Sequence, residues 1–319
     1  MSSAVLNLKE KAEMMSLDIE ATRRSIQSHM EQTGKSQSDL SRLTGLSPAT
    51  ISQFLKGIYA GNNEQIAYTI MKALEIEIRR KDAIKTPQFV MTSVAEDVLA
   101  VVKYAHDYKD IGIIYGDAGI GKTMTLRQYA AQNPGTVFIT VNPTNSNSKA
   151  ILEELVEKLG KQEYGDRRRL RRTVVSSLKD SGRLVIIDEA QHLQMSALET
   201  LRSIYDECGI GLVLCGNETV YTQMKGKAKA AEFAQLFSRV GIRRYLNNQK
   251  ISKEDVKKIV GQEAEVSGEC LDFFHKVANN PGGIRTMVKL FILSWTLANS
   301  MGESLNLQAI RAANELLMY

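Results

Sequence analysis

The sequence predicts an α/β core, a parallel sheet flanked by helices, placed between two all-helical segments. Three observations carry that reading. An apolar strand, Ile111 to Tyr115, runs straight into Gly116-Asp-Ala-Gly-Ile-Gly-Lys-Thr123, with a helical stretch from Met124 to Ala131 behind it. Between residue 111 and about 245, further short apolar runs, at Val137 to Val141, Leu184 to Ile187 and Gly211 to Cys215, alternate with helical stretches. Before residue 80 and after residue 250 such runs give way to apolar residues at helical spacing.

The glycine-rich segment reads as a phosphate cradle. Gly116, Gly119 and Gly121 allow positive φ and close approach, so successive backbone N–H groups can turn inward on phosphate oxygens. The helix starting near Lys122 adds its N-terminal dipole to the same point. Lys122 is placed to reach the β and γ phosphates, and the Thr123 hydroxyl to hold Mg²⁺. The candidate ATP-binding residues are therefore Gly116, Asp117, Ala118, Gly119, Ile120, Gly121, Lys122, Thr123 and Met124. The strand at 184–187 ends in Asp188-Glu189, two carboxylates with an obvious use beside such a loop. Asp188 would hold Mg²⁺ through water, and Glu189 would orient and deprotonate an attacking water.

The rest of the chain sorts into four parts. Residues 1–75 form a small helical domain, beginning with a helix from Ile19 to Met30. Within it, Gln37 to Gly57 holds two short helices meeting at Gly45. Leu40, Leu43, Ile51, Phe54 and Leu55 form their inner faces, and Ser47-Pro48 makes a cap and first turn. This resembles a helix-turn-helix of the phage-repressor type, which would leave Ala49, Ser52, Gln53 and Lys56 outward to meet DNA. Residues 1–85 carry 12 basic and 10 acidic side chains, so a plain interaction domain is the competing reading. Residues 76–92, with a charge run and Pro87, read as a linker. Residues 93–249 hold the α/β core, entered by a helix from Ser93 to Asp107. Residues 250–319 read as a helical lid with helices at 252–263, 269–278, 285–299 and 307–317.

Bulk composition narrows the class. Apolar content of 43% with 24% charged residues is that of an ordinary soluble globular protein. Three cysteines, Cys208, Cys215 and Cys270, lack C-x-x-C spacing and suggest neither a disulfide framework nor a zinc site, which fits a reducing cytoplasm. No signal pattern precedes Lys9 and Glu10. The most apolar segment, Thr286 to Ala298, contains Lys289 and falls short of the roughly 20 residues a bilayer requires. The expectation is a soluble cytoplasmic protein with no membrane partner.

Several motifs resemble the AAA+ class of P-loop ATPases. Asn217, in the Gly216-Asn217 that closes the strand at 211–215, matches the position whose Asn contacts the γ-phosphate region in that class. Leu236-Phe-Ser-Arg239-Val resembles the segment bearing the trans-acting arginine finger, with Arg243 and Arg244 as competing candidates. Pro281-Gly-Gly-Ile-Arg285 resembles the lid's sensor arginine, which implies contact between Arg285 and bound nucleotide.

Basic stretches supply candidate DNA contacts. Arg167, Arg168, Arg169, Arg171 and Arg172 begin a helix whose inner stripe is Leu170, Val174 and Leu178, an arrangement that leaves Arg168, Arg171 and Arg172 together outside. A solvated charged face is the plainer reading. Lys225, Lys227 and Lys229 form a second stretch that suits DNA or a neighbouring subunit, and Lys149 lies in a third.

The order of a repressor-like domain, a linker, an AAA+ core with Asp188-Glu189-Ala-Gln191 and a lid with Gly282-Gly-Ile-Arg285 resembles the family of the bacteriophage Mu B transposition protein. The resemblance implies an ATP- and Mg²⁺-dependent, sequence-nonspecific binder of double-stranded DNA. Such a protein assembles as a helical homo-oligomer or ring on target DNA, delivers it to a transposase and activates strand transfer in a bacterial host's cytoplasm. Two other readings stay open at this level. One is a replication initiator or helicase loader, and the other is a transcription regulator in which ATP switches a sequence-specific helix-turn-helix.

Overall fold

The computed structural model describes residues 18–82, 87–218 and 238–317. The chain divides into two compact units, Met1–Ala83 and Ile84–Tyr319, each with its own core.

Among its described residues the first unit has four helices: α1 (Ile19–Thr33), α2 (Gln37–Thr44), α3 (Pro48–Leu55) and α4 (Asn63–Asp82). Their ends follow from local chemistry. Asp18 caps α1, Ser36 and Asp39 form a reciprocal capping box on α2, and Ser47 caps α3 with Pro48 at its first position. Gly45 ends α2 at φ 74, the left-handed geometry that lets the chain turn at once into α3. Ile26, Leu40, Ile51, Phe54, Ile66 and Ile70 close the core. On α3, Ala49, Gln53 and Lys56 are exposed and Ser52 is half-buried, the outward face expected from the sequence. The expected linker differs. Residues 76–82 continue α4, because the charge run is made of helix formers. Glu77 also ties this turn back to Lys35 at 2.8 Å.

The second unit carries a five-stranded parallel sheet in the order β2-β3-β4-β1-β5, from β1 (Ile111–Gly116), β2 (Val137–Thr140), β3 (Leu184–Asp188), β4 (Gly211–Gly216) and β5 (Val240–Leu246). Its helices are α5 (Ser93–Asp107), α6 (Lys122–Gln132), α7 (Ser148–Lys158), α8 (Arg167–Leu178) and α9 (Met195–Cys208). The lid follows as α10 (Lys253–Val260), α11 (Gly268–Ala278), α12 (Gly283–Ser300) and α13 (Leu307–Leu316). Period-two alternation sends Ile111 and Ile113 into a core with α7, α8 and α9, and Ile114 into the other core with α5, α6 and the lid helices. Both faces of the sheet are thus covered, as parallel strands require. Four strands match the sequence expectation to within a residue at their ends. β5 does not announce itself. As an edge strand it is mostly exposed, and Arg243-Arg244 breaks the apolar run.

One carboxylate ties the lid to the start of α5. Asp255, 2% exposed, accepts from Ser93 N at 2.9 Å, Ser93 Oγ at 2.6 Å and Ser252 N at 2.9 Å, so it caps α10 and grips the start of α5 together. Burial pushes its carboxyl upward, but the hydrogen bonds from Ser93 and Ser252 outweigh this and hold it below the ordinary carboxylate value. A depressed native value contributes stability above the unfolded carboxylate range, and that stability is lost as pH falls through the native value. Asp255→Asn turns an NH₂ toward these donors and should cost about 2–3 kcal/mol in urea melts at neutral pH, a deficit that shrinks in acid.

Candidate nucleotide site

The phosphate loop follows β1, which lies between β4 and β5, so it opens at the carboxyl edge of the sheet, where ligands of open α/β sheets sit. Gly116, Gly119 and Gly121 take φ of 139°, 80° and 101°, in keeping with the conformational freedom expected of them. A Cβ on Gly116 would meet Leu246 O at 1.8 Å, because the loop leaves the sheet hard against the end of β5. Asp117 N donates to that same Leu246 O at 3.0 Å.

Lys122 starts α6 and curls back, its Nζ donating to Gly116 O at 2.9 Å and Asp117 O at 2.6 Å. Burial lowers its pKa, while the carboxylates of Glu189, Asp188 and Asp117 oppose that by favouring the charged form. The next residue, Thr123, donates from Oγ1 to Asp188 Oδ2 at 2.8 Å across 65 residues of sequence. Asp188 is 2% exposed, and burial pushes its carboxyl above the ordinary value. Both candidate Mg²⁺ ligands are therefore side by side at the end of β3, as hard oxygen donors suited to a small divalent cation.

Glu189 follows in the left-handed region at φ 56 and ψ 37. For a residue with a Cβ this geometry is strained and marks a backbone held by its surroundings. It turns the chain out of β3 into the short turn Ala190–His192. Asn217 stands just past β4, where its backbone N donates to Gln191 Oε1 at 3.3 Å. Arg285 is placed against the loop by its own main chain, whose N–H donates to Gly119 O at 3.0 Å. A Cβ on Gly119 would lie 2.1 Å from Gly282 O, so loop and lid touch backbone to backbone. Ala118 and Met124 are exposed at the rim and Ile120 is buried beneath the loop.

Two residues of this region have contacts that the sequence does not show. Asn248 N donates to Asp117 Oδ2 at 2.9 Å, and Asn248 Nδ2 donates to Asn280 O at 2.9 Å, which joins the loop to the turn between α11 and α12 of the lid. Nothing in Leu246-Asn-Asn-Gln marks that role, since Asp117 is 131 residues away. Gln191 is visible in the sequence, but its partners are not.

The other candidates lie apart. Arg239 precedes β5, whose Val240 is level with Ile111 while Leu246 is level with Gly116, so Arg239 sits at the opposite end of β1 from its own phosphate loop. Six residues of extended strand span roughly 20 Å. Its Nε bonds Asp206 Oδ1 at 2.6 Å. Arg244 is paired with Asp97, which also takes Lys250 at 2.6 Å, and Arg243 is exposed on β5. On α8 the apolar stripe Leu170, Val174 and Leu178 is buried as expected, and Arg167, Arg168, Arg169 and Arg172 are exposed. Arg171 departs from the expected outer face. It bonds Ser203 Oγ at 2.8 Å and pairs with Glu207, because its edge of α8 adjoins α9. Lys149 begins α7 and lies 3.6 Å from Glu153. Lys225, Lys227 and Lys229 lie outside the described residues, as do Leu236 and Phe237 of the finger segment.

A parallel sheet of this order, with a phosphate loop after β1, an acidic pair after β3 and a helical lid against the loop, defines an AAA+ ATPase. Residues 105–224 match the AAA domain family model and residues 238–316 the model for the C-terminal part of the Mu B transposition protein. The chain is 33% identical over 298 residues to the ATP-dependent target DNA activator B of Escherichia phage Mu, covering 93% of this chain and 94% of that one. It belongs to the phage Mu B transposition protein family. A second relative, the Mu-like prophage FluMu DNA transposition protein B of Haemophilus influenzae, is 29% identical, with 83% and 93% covered. Among solved structures the Aeropyrum pernix ORC2 protein in ADPNP and ADP complexes superposes with a TM-score of 0.51 at 20% identity, over 72% of this chain and 69% of that one. That likeness concerns the fold. Among the described residues no helix is long and apolar enough to cross a membrane.

Proposed function

We propose that this ATPase binds double-stranded DNA without regard to sequence, assembles on it as a helical homo-oligomer, and presents it to a transposase whose strand transfer it activates. ATP serves as the switch for assembly. The relative from phage Mu is named a target DNA activator, and the match spans nearly both chains. The observation that carries the assembly is the position of Arg239. Arg239, paired with Asp206 just before β5, is out of reach of its own phosphate loop, so a part for it in hydrolysis has to be played in a neighbour's site. Hydrolysis then depends on subunit contact.

The described residues supply the chemistry. The loop N–H groups and Lys122 bind the phosphates. Thr123 and Asp188 would hold Mg²⁺, which would screen the phosphate charge. Glu189 takes a proton from water as the water oxygen bonds to the γ phosphorus and the bond to the bridging oxygen breaks, leaving ADP and phosphate. Asn217 and Arg285 face the same end of the sheet and report on the nucleotide. Arg167, Arg168, Arg169 and Arg172 offer cations to phosphates, an interaction that carries no sequence information and weakens steeply with salt. Lys149 and Arg171 serve as further DNA contacts, Arg171 after exchanging Glu207 for phosphate, and so do Lys225, Lys227 and Lys229, which lie outside the described residues. Ser52, Gln53 and Lys56 on α3 give the N-terminal unit a face for the major groove.

The test is fluorescence anisotropy of random-sequence duplex with ATP, ADP or no nucleotide, for the wild type and Lys122→Ala, beside negative-stain images. Filaments that need ATP, take any sequence and vanish in Lys122→Ala are expected. Binding that ignores nucleotide and prefers one sequence would instead point to a regulator driven by residues 1–75.

A further inference from the structure

Gln191 touches both ends of the hydrolytic apparatus. It stands half-buried in the turn after β3, two residues past Glu189. Its Nε2 donates to Glu189 Oε2, and its Oε1 accepts from the backbone N–H of Asn217 at 3.3 Å. A carboxamide has one donor end and one acceptor end, so these partners together fix which way it faces. β3 and β4 are neighbours in register from Leu184↔Gly211 to Ile187↔Leu214, and β4 continues to Gly216. Glu189 has by then left the sheet through its left-handed turn, and Asn217 has passed the end of β4. The Gln191 side chain closes the gap between the two.

We propose that Gln191 is a positioning residue for ATP hydrolysis, tying the Glu189 carboxylate to the end of β4 so that the base is held in register with Asn217. The inference rests on the reading of Glu189 as the base that takes the proton from water. Its consequence is that a displacement of the β4 end on nucleotide binding moves the carboxylate through a single amide. Asn217 enters this link through its backbone N–H. A glutamate at position 191 has the same shape and still accepts from Asn217 N, but it turns an acceptor toward Glu189 where a donor is needed. An alanine removes both bonds.

The test uses the full chain. ATP affinity by fluorescent analogue, kcat and KM for ATP, and melting temperature are measured for the wild type, Gln191→Ala, Gln191→Glu, Glu189→Gln and the double variant Gln191→Ala with Glu189→Gln. In both single Gln191 variants kcat should fall roughly tenfold or more while KM shifts less than about twofold, the signature of a misplaced catalytic group rather than lost binding. The double variant should be no slower than Glu189→Gln alone, because a tether has no effect once the base is gone. Gln191→Glu turning over at the wild-type rate, or a double variant slower than Glu189→Gln by the full Gln191→Ala factor, would overturn the tether while leaving the base assignment standing. The same holds if kcat and melting temperature fall together with a matching loss of ATP affinity, which would make Gln191 structural only. Wild-type hydrolysis by Glu189→Gln would remove the base assignment itself and the tether with it.

Discussion

Asp188→Asn should stabilise the nucleotide-free protein and nearly abolish its ATPase activity. Asp188 is 2% exposed at the end of β3, and its side-chain donors among the described residues are uncharged, the Thr123 hydroxyl at 2.8 Å and the Cys215 thiol. Burial pushes its carboxyl above the ordinary value, which means that the folded chain resists the charge it carries at neutral pH. A raised native value acts on stability in the opposite sense to Asp255. The cost is absent below the unfolded carboxylate value, where Asp188 is protonated in both states, and it grows as pH rises through the native one. An amide of the same shape keeps an acceptor for Thr123 and removes the buried charge. Stability in urea at neutral pH, without nucleotide or Mg²⁺, should rise by on the order of 1 kcal/mol, and the gain should fade in acid. Steady-state hydrolysis should drop roughly a hundredfold or more, since a neutral oxygen is a poor partner for a divalent cation at the phosphates. A variant less stable than wild type at neutral pH would show that the carboxylate has a compensating partner.

Gly119→Ala should loosen the phosphate loop from the lid. Two costs combine there. The residue sits at φ 80, and its added Cβ would lie 2.1 Å from Gly282 O and 3.2 Å from Arg285 Cβ. The first obstacle is backbone, which cannot rotate away as a side chain would, so the bond from Arg285 N to Gly119 O is expected to break. Left-handed strain of about 1–2 kcal/mol and a lost hydrogen bond of about 1 kcal/mol add to the steric separation. Gly121→Ala is the control, because Gly121 has φ 101 but nothing within 4 Å of the added atom. In urea melts without nucleotide, Gly119→Ala should lose more stability than Gly121→Ala by about 1–2 kcal/mol, the share belonging to the lid contact. ATP affinity should fall with it. Equal losses would mean that the lid does not depend on Gly119.

The parts of the site that the chain carries as contiguous segments were legible in it. The phosphate loop, the acidic pair after β3 and the lid motif at Gly282 to Arg285 each occupy a few adjacent residues whose types are fixed by backbone geometry or by charge. Helix ends were legible for the same reason. Ser47 with Pro48 is a short-range cap whose partner lies within three residues. β5 was not, because an edge strand half-open to solvent tolerates Arg243 and Arg244 and loses the apolar run by which buried strands are found. Nor was the end of α4, where a charge run suggests a linker but helix formers and the pair between Lys35 and Glu77 carry the helix on to Asp82.

By itself, the sequence determined that this is a phosphate-loop ATPase between helical segments, because glycine torsions, buried apolar runs and a strand-end acidic pair are local demands that few other residues meet. The tertiary structure decided which of those residues meet one another. It placed Thr123 against Asp188 and Asn248 against Asp117, and it shared Asp255 with Ser93 across 162 residues. It also turned Arg171 toward Glu207, put Arg239 at the far end of the sheet and laid the Gln191 amide between Glu189 and Asn217. Apart from Gln191 with Glu189, two residues apart, these pair common polar residues over long sequence separations. No local pattern encodes them, and only the packing of strands and helices into one sheet sets the distances that make them bonds.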